Sequence, residues 1–212
     1  MSEKCEKLHS WFNSQKRHNF PFDEKEIPFN GVYVLFEKGE LAHGANRIVR
    51  IGTHTGDKQL RSRLKQHFIK ENKDRSIFRK NIGRALLTKD KDPFLEYWEL
   101  DLTSRKAKDK YRGLIDLEKQ KEVEKKTTEC IRENFSFVVF QVSNKEKRLA
   151  IESKIISTVS LCDECKPSGD WLGLYSTKQK IRESGLWLIN ELYKDPFSDK
   201  DIKVLGELLE RG

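Results

Sequence analysis

The sequence contains no long apolar run. None of its 212 residues lies in a stretch that approaches the roughly 20 consecutive apolar residues of a membrane-spanning helix. The first residues, MSEKCEKLHSWF, also lack the apolar centre of a secretory signal peptide. We therefore expect a soluble, cytoplasmic protein with no membrane partner.

Cysteine is scarce as well, with four in the chain, of which Cys162 and Cys165 form a CxxC pair. This number gives no disulfide framework, so reduced thiols are expected. No second pair and no nearby histidine complete a zinc site around the CxxC. A zinc-stabilised scaffold built on this pair is therefore the weakest of three functional interpretations. We expect His9 and His18 to be solvated.

Charge is abundant, and its balance is basic. Charged residues make up 36% of the chain, as do hydrophobic residues, and the formal net charge is +8. This composition permits a core beneath a heavily charged surface, and the basic excess favours an acidic partner such as nucleic acid. No separate DNA-reading module, such as a helix-turn-helix or a zinc finger, is recognisable.

Two apolar runs near the N-terminus predict a β-hairpin. GVYVLF and RIVRIG are separated by EKGELAHGAN, which is longer than a two-residue turn. After the second run, Leu60, Leu64 and Phe68 recur every four residues, which predicts an amphipathic helix. Asp57 is a plausible start for this helix.

Arg63 and His67 lie four residues apart on this predicted helix, so they share one face beside the apolar stripe. A cation and an imidazole in this position suit a phosphate-binding site. The alternative is the partly exposed edge of an ordinary helix, which spacing alone slightly favours.

The next segment, residues 77–86, also has helical spacing and is surrounded by basic residues. Arg79, Lys80 and Arg84 could follow a phosphate backbone, which is how basic side chains supply affinity that is independent of sequence. The alternative is a solvated helix face.

A second strand-and-helix unit lies in the C-terminal half. NFSFVVFQV, residues 134–142, predicts a buried strand, and KEKRLAIESKIISTVS predicts the helix that follows it. On that helix Glu152 falls on the same side as Leu149 and Ile156. A carboxylate there is unfavourable unless it pairs with Arg148 or Lys145, or binds a metal.

Together these segments resemble the GIY-YIG nucleases. Gly31-Val32-Tyr33 matches GIY, Arg50-Ile51-Gly52 stands where YIG would be, and an RLxxH helix follows. Glu152 corresponds to the glutamate that holds the divalent cation in the family. The sequence departs from the family pattern in three ways: Arg50 replaces a tyrosine, the gap between the two motifs is longer than usual, and no asparagine after the glutamate helix matches. Ser168, Asp170 and Ser176 are the only candidates for the asparagine position.

The resemblance implies an α/β protein of the α+β type. We expect a small central antiparallel three-stranded sheet flanked by helices, with N- and C-terminal helical additions. The expected division is an N-terminal cap over residues 1–29, a core over 30–160 and a C-terminal helical extension over 161–212 packed on the core. A charged helical insertion should interrupt the core at about 90–133.

The resemblance also implies a metal-dependent endonuclease acting on DNA, of a restriction, defence or repair type. Glu152 would hold Mg²⁺ or Mn²⁺, Arg63 would hold a nonbridging phosphate oxygen, and Tyr33 would orient or deprotonate the attacking water. Arg50 would lower the pKa of Tyr33 or bind phosphate itself. The alternative general base or proton shuttle is a histidine: His67 or His54.

Two questions stay open at this point. The first is the oligomeric state: a nuclease with one active site per chain cuts both strands of a duplex either as a homodimer or in two successive binding events. The alternative function is a catalytically inactive nucleic-acid-binding protein that retains the fold, which the replacement by Arg50 and the absent asparagine favour. The joint presence of Tyr33, Arg63, His67 and Glu152 favours catalysis.

Overall fold

The computed structural model describes residues 2–111 and 113–210. At its centre is an antiparallel sheet in the order β1-β4-β2-β3. The strands are β1, His18–Asn19; β2, Gly31–Ala42; β3, Ala45–Gly52; and β4, Phe135–Gln141. The expected α+β architecture is confirmed, and its three strands are β2, β3 and β4. The two-residue β1 adds a fourth strand by pairing with the outer edge of β4.

The hairpin between β2 and β3 is tighter than the sequence predicts. Both strands continue through EKGELAHGAN until Ala42 pairs with Ala45, which leaves His43 and Gly44 as a two-residue turn. Their φ angles of 52° and 71° are left-handed, as a two-residue hairpin turn requires. The prediction of a long loop was wrong because shifts in register between Leu35 and Leu41 let polar residues join the strand pairing.

Helices cover the sheet and extend beyond it. They are α1, Ser2–Ser14; α2, Leu60–Phe68; α3, Ile77–Lys89; α4, Leu95–Glu99; α5, Arg105–Tyr111; α6, Leu117–Asn134; α7, Lys145–Ser160; α8, Gln179–Ser184; and α9, Asp199–Glu210. The helices predicted at α2, α3 and α7 are present. Asp57 does not start α2: Gln59 precedes it, and the Asp57 carboxylate accepts from the Asn30 side chain.

Helix α4 is a short helix that packs on α3. Its Trp98 side chain is fully buried, and the indole N–H donates to the Lys80 carbonyl of α3 at 3.0 Å. Gly83 of α3 leaves the space that the indole occupies, since a Cβ at that position would overlap it. Tertiary packing on α3 therefore decides the structure of this segment.

Both faces of the sheet are buried because β2 is apolar on both sides. Val32, Val34 and Phe36 point into a cluster with side chains of α1, α7 and α9. The alternate residues Tyr33 and Leu35 point into a second cluster with side chains of α2, α3 and α6. The sheet thus separates α7, which carries Glu152, from α2, which carries Arg63 and His67. Glu152 nevertheless contacts the backbone directly after β3, where α7 reaches the loop that leads to α2.

The three basic residues of α3 are not surface groups, so their predicted contact with a phosphate backbone was wrong. Arg79 pairs with Glu124 of α6 at 2.8 Å, and the Lys80 ammonium donates to the Glu99 carbonyl at 2.7 Å. Arg84 forms a bidentate ion pair with the Glu99 carboxylate, through Nε and Nη2. All three side chains are buried because α4 and α6 pack over this side of α3.

His9 and His18 are buried too, against the expectation of solvated imidazoles. His18 stacks on the Phe137 ring at 5.3 Å between centroids. His9 accepts the backbone N–H of Ile48 at 3.1 Å, because α1 lies against β3.

In the described parts of the chain, no helix combines the length and apolar character needed to cross a membrane. The predicted division into cap, core and extension stays a prediction. Side chains of α1 and α9 share one apolar cluster with the sheet, so these terminal helices are packed on the core.

The buried Arg79–Glu124 pair should dominate the stability of the contact between α3 and α6. Glu124→Ala would leave the Arg79 guanidinium buried without its counterion, so we expect a loss of about 3–5 kcal/mol in the free energy of unfolding. Glu118→Ala on the same helix is the control, because Glu118 is exposed and pairs only with Lys121. Urea denaturation of both variants measures the difference, and equal stability of the two would contradict the importance of the pair.

Candidate active site

A buried hydrogen bond joins the beginning of β2 to α2. The Tyr33 hydroxyl lies 2.8 Å from His67 Nε2, and both residues are fully buried. His67 Nδ1 lies 2.7 Å from the Ser76 hydroxyl, which also caps α3 by accepting the Arg79 N–H. When Nδ1–H donates to Ser76, Nε2 is left to accept the Tyr33 proton. These contacts place a phenol, an imidazole and a hydroxyl in one chain.

Gly52 provides the space for the Tyr33 hydroxyl. The two residues are directly opposite in the β2–β3 register. A Cβ built on Gly52 would overlap the Tyr33 hydroxyl and the ring atoms next to it. Any side chain at this position would therefore displace Tyr33 from His67.

His67 is held in its neutral form. Burial lowers its pKa well below the usual value, and the positive charges of Arg50, Arg63 and Arg79 lower it further. A neutral imidazole can accept a proton, which an imidazolium cannot. His67 therefore accepts the Tyr33 hydrogen bond as a neutral imidazole, while the same positive charges make it a weaker base.

Arg50, on β3, is a buried cation near both His67 and Glu152. Its guanidinium donates to the Trp187 carbonyl and lies over the Phe78 ring, 5.2 Å from its centroid. Its charge lowers the pKa of both His67 and Glu152, so it acts on both groups. Arg50 Nε is buried and makes no hydrogen bond to any described residue.

Glu152 reaches the site from the other side of the sheet. Its Oε1 accepts the backbone N–H of Thr53 at 3.0 Å, directly after β3 ends. Burial raises the pKa of this carboxyl above its usual value, while Arg50, the Thr53 hydrogen bond and Arg63 act in the opposite direction.

Of the two alternatives for Glu152, pairing with Arg148 or Lys145 is not found in the described part of the chain. Arg148 donates instead to the carbonyls of Val142, Ser143 and Gly56. No ion pair found in residues 2–111 and 113–210 involves Glu152.

An open cleft of about 340 Å³ adjoins these groups, lined by the β3–α2 loop and one side of α2. Arg63 lines it and is half-buried, donating to the Gln66 side chain and to the Arg75 carbonyl. His54 lines it too: Nδ1 lies 2.7 Å from the Gly56 carbonyl, and Nε2 is buried with no partner in the described structure. Burial lowers the pKa of His54, so its Nε2 offers a lone pair.

A sequence model described as the GIY-YIG domain matches residues 5–211, nearly the whole chain. The chain belongs to the GIY-YIG family. No curated protein and no solved structure matches it. The family membership supports a nuclease-type function.

The positions that carry the GIY-YIG resemblance come together in space. Tyr33 and His67 are hydrogen-bonded, Arg50 acts on His67 and Glu152, and Arg63 lies on the adjoining cleft. Arg79 contributes indirectly, since its guanidinium donates to the His67 carbonyl at 3.1 Å.

The segment after α8 also borders the site, which the sequence did not indicate. The Trp187 carbonyl accepts from Arg50, and the charge of Glu191 raises the pKa of Glu152. Asn190 is exposed within this segment. Two earlier candidates for the family asparagine are bonded elsewhere: Ser168 to Glu40, and the Ser176 hydroxyl to the Lys178 N–H.

The donors at Glu152 fit the divalent cation that is typical of GIY-YIG nucleases. Mg²⁺ and Mn²⁺ favour oxygen ligands, and Mg²⁺ commonly takes one or two carboxylates while keeping several waters. One Glu152 oxygen bonds the Thr53 N–H, and no described residue donates to the other. A cation there would offset the burial that raises the Glu152 pKa.

His67 should make the protein less stable in mild acid. Because its pKa is lowered by folding, it stays neutral in the folded protein while the unfolded chain takes up a proton below pH about 6.5. The free energy of unfolding should therefore decrease as the pH is lowered below about 6.5. His67 contributes up to about 1.4 kcal/mol to this decrease for each pH unit.

His67→Gln removes this contribution, so the loss of stability between pH 7.5 and 5.5 should be smaller in the variant. Urea denaturation at the two pH values measures it. His18 and His54, whose pKa values are also lowered, are present in both proteins and cancel in the comparison. An identical pH dependence would show that His67 is not held neutral by the fold.

Proposed function

We propose that this protein is a divalent-metal-dependent endonuclease that hydrolyses phosphodiester bonds in DNA. The observation that carries the proposal is the Tyr33–His67 hydrogen bond with Arg50 and Glu152 beside it. Phosphodiester hydrolysis needs a proton acceptor for the attacking water, positive charge at the phosphate and help for the leaving oxygen. Each need has a candidate group at this site.

Tyr33 and His67 would together accept the proton of water. The Tyr33 hydroxyl gives its proton to His67 Nε2, and the resulting phenolate oxygen takes a proton from the attacking water. His67 is neutral in the fold, and an anionic phosphate bound at Arg50 and Arg63 would offset the positive charges that lower its pKa, so that it can take this proton in the substrate complex. His54, with an unpartnered Nε2 on the cleft, is the alternative acceptor.

Two arginines would hold the scissile phosphate. Arg63 lines the cleft, and its planar guanidinium matches the geometry of phosphate oxygens. Arg50 has a buried Nε–H that donates to no residue in the described part of the chain, and its positive charge would stabilise the charge that develops on the phosphate. A divalent cation held by Glu152 would supply Lewis-acid polarisation of the phosphate and neutralise the leaving 3′ oxygen.

The DNA-binding surface must use basic residues other than the three buried in α3. Arg75 is exposed, and its carbonyl accepts from Arg63, which places this residue beside the cleft. Lys58 is exposed in the loop that leads to α2. With a net charge of +8, such residues would supply the salt-dependent affinity of a nuclease for its substrate.

Asn190 is the residue that we propose for the role of the family asparagine. It lies between Trp187, whose carbonyl binds Arg50, and Glu191, whose charge acts on Glu152. Its exposed side chain could contact a bound phosphate or a water of the cation. Restriction, defence or repair are the roles that we propose for the cleavage, and a homodimer would cut both strands in one encounter.

One observation favours a second candidate, a nucleic-acid-binding protein without catalysis. Tyr33 and His67 are fully buried, so the attacking water has to reach a phenol that is closed to solvent in this conformation. Contacts at active sites often adjust when substrate binds, so this burial does not decide between the two functions.

The decisive variant is Glu152→Gln, which removes the charge and keeps the shape. Cleavage of supercoiled plasmid with Mg²⁺ or Mn²⁺ should fall by at least about 100-fold, the scale of losing one electrostatic stabiliser of a transition state. Gel-shift affinity for duplex DNA, measured without a divalent cation, should change little, because the Glu152 carboxylate itself does not attract phosphate. Glu146→Gln is the matched control, an exposed residue on the same helix.

Cleavage by wild type and Glu146→Gln but not by Glu152→Gln would support the nuclease. DNA binding by all three proteins without cleavage by any would favour the binding protein instead. Equal cleavage by all three would exclude Glu152 from the reaction.

A further inference from the structure

A second group of metal-binding side chains lies away from the candidate active site. Cys5, His9, His43 and Cys165 place their ligand atoms within 4.8 Å of one another. Cys162 adds a fifth donor, with its sulfur 3.5 Å from His43 Nε2. The group is buried where α1, the β2–β3 turn and the loop after α7 meet.

The spacing of these atoms suits tetrahedral zinc. Zn–S bonds of about 2.3 Å and Zn–N bonds of about 2.0–2.1 Å place the ligand atoms roughly 3.3–3.8 Å apart. The Cys5 and Cys165 sulfurs are 3.3 Å apart, and His43 Nε2 is 3.3 Å from the Cys165 sulfur. The Cys162 sulfur is 3.5 Å from the same His43 nitrogen, so His43 faces two sulfurs at distances that suit a shared metal ion.

His43 is oriented as a zinc ligand would be. Its Nε2 faces the sulfurs of Cys162 and Cys165, while Nδ1 lies 3.4 Å from the Glu164 carboxylate. A carboxylate on the second ring nitrogen commonly fixes the tautomer of a histidine that binds zinc. The side chain is buried even though His43 occupies a hairpin turn with a left-handed φ of 52°.

His9 is less suited to binding the metal because both of its ring nitrogens have backbone partners. Nε2 accepts the Ile48 N–H at 3.1 Å, and Nδ1 lies 2.9 Å from the Cys5 carbonyl. His9 therefore supports the backbone at Cys5, and Cys162 is the better fourth ligand.

We propose that the protein binds one Zn²⁺ through Cys5, His43, Cys162 and Cys165. Four protein ligands leave no open position, as in structural zinc sites. The ion would tie α1 and the hairpin turn to the end of α7. Cys162 lies ten residues beyond Glu152, about 15 Å along a helical path, so this site is separate from the proposed catalytic cation.

The first test is the zinc content of the untagged, reduced full-length protein after dialysis against EDTA, measured by inductively coupled plasma mass spectrometry. Wild type should retain one zinc per chain. Cys130→Ser should retain it as well, since Cys130 lies on α6 next to Asn134 and is the cysteine outside the group. Cys162→Ser and His43→Asn should lose it; asparagine tolerates the left-handed turn that His43 occupies.

A second measurement needs no variant. Replacing the metal with Co²⁺ should give the thiolate-to-cobalt absorption of three sulfur ligands in a tetrahedral site, and removing the metal with a strong chelator should lower the melting temperature. Both readouts are independent of nuclease activity, so they can fail or succeed whatever the outcome of the cleavage assay.

Folded wild-type protein that holds no zinc and gives no tetrahedral cobalt spectrum would overturn the proposal. So would a Cys5–Cys165 disulfide found by mass spectrometry of protein kept under non-reducing conditions. Full zinc content in Cys162→Ser, with a two-thiolate spectrum, would overturn the ligand set and assign the fourth position to His9.

Discussion

The hydrogen bond between Tyr33 and His67 is the contact on which the candidate site depends. It joins the central strand to α2 in an environment that excludes water, so both groups must satisfy each other. Gly52 leaves room for the hydroxyl, and Ser76 orients the imidazole. Arg79 holds the carbonyl of His67 and is itself held by α6. Helix α6 therefore supports the site indirectly, through its contact with Arg79.

Charge at the site is balanced by Arg50, the residue that replaces a tyrosine of the family pattern. The positive charge of Arg50 lowers the pKa of His67, which favours the neutral imidazole. The same charge opposes the rise in the pKa of Glu152 that burial causes. A tyrosine at this position could not supply that charge. The replacement therefore changes how the site is stabilised electrostatically, while the phenol, imidazole and carboxylate are retained.

The sequence predicted those parts of the fold and site that depend on local pattern. The strands of Tyr33 and Arg50, the helix of Arg63 and His67 and the helix of Glu152 follow from periodicity, and family resemblance linked them across about a hundred residues. Long-range packing decided the rest. The basic side chains of α3 looked exposed because nothing local indicates that α4 and α6 cover them. Cys5 and His43 lie far from the CxxC in sequence, so no spacing rule connects them with it.

The central claim, that Tyr33 passes the proton of the attacking water to His67, is tested most directly by the single-turnover cleavage rate of Tyr33→Phe on plasmid DNA with Mg²⁺. This variant removes one oxygen and leaves Arg50, Arg63 and Glu152 in place. The account predicts a fall of about 10²–10⁴-fold, the usual contribution of a general base, with DNA affinity close to that of wild type. A Tyr33→Phe protein that cleaves at the wild-type rate would contradict it and point to His54 as the base.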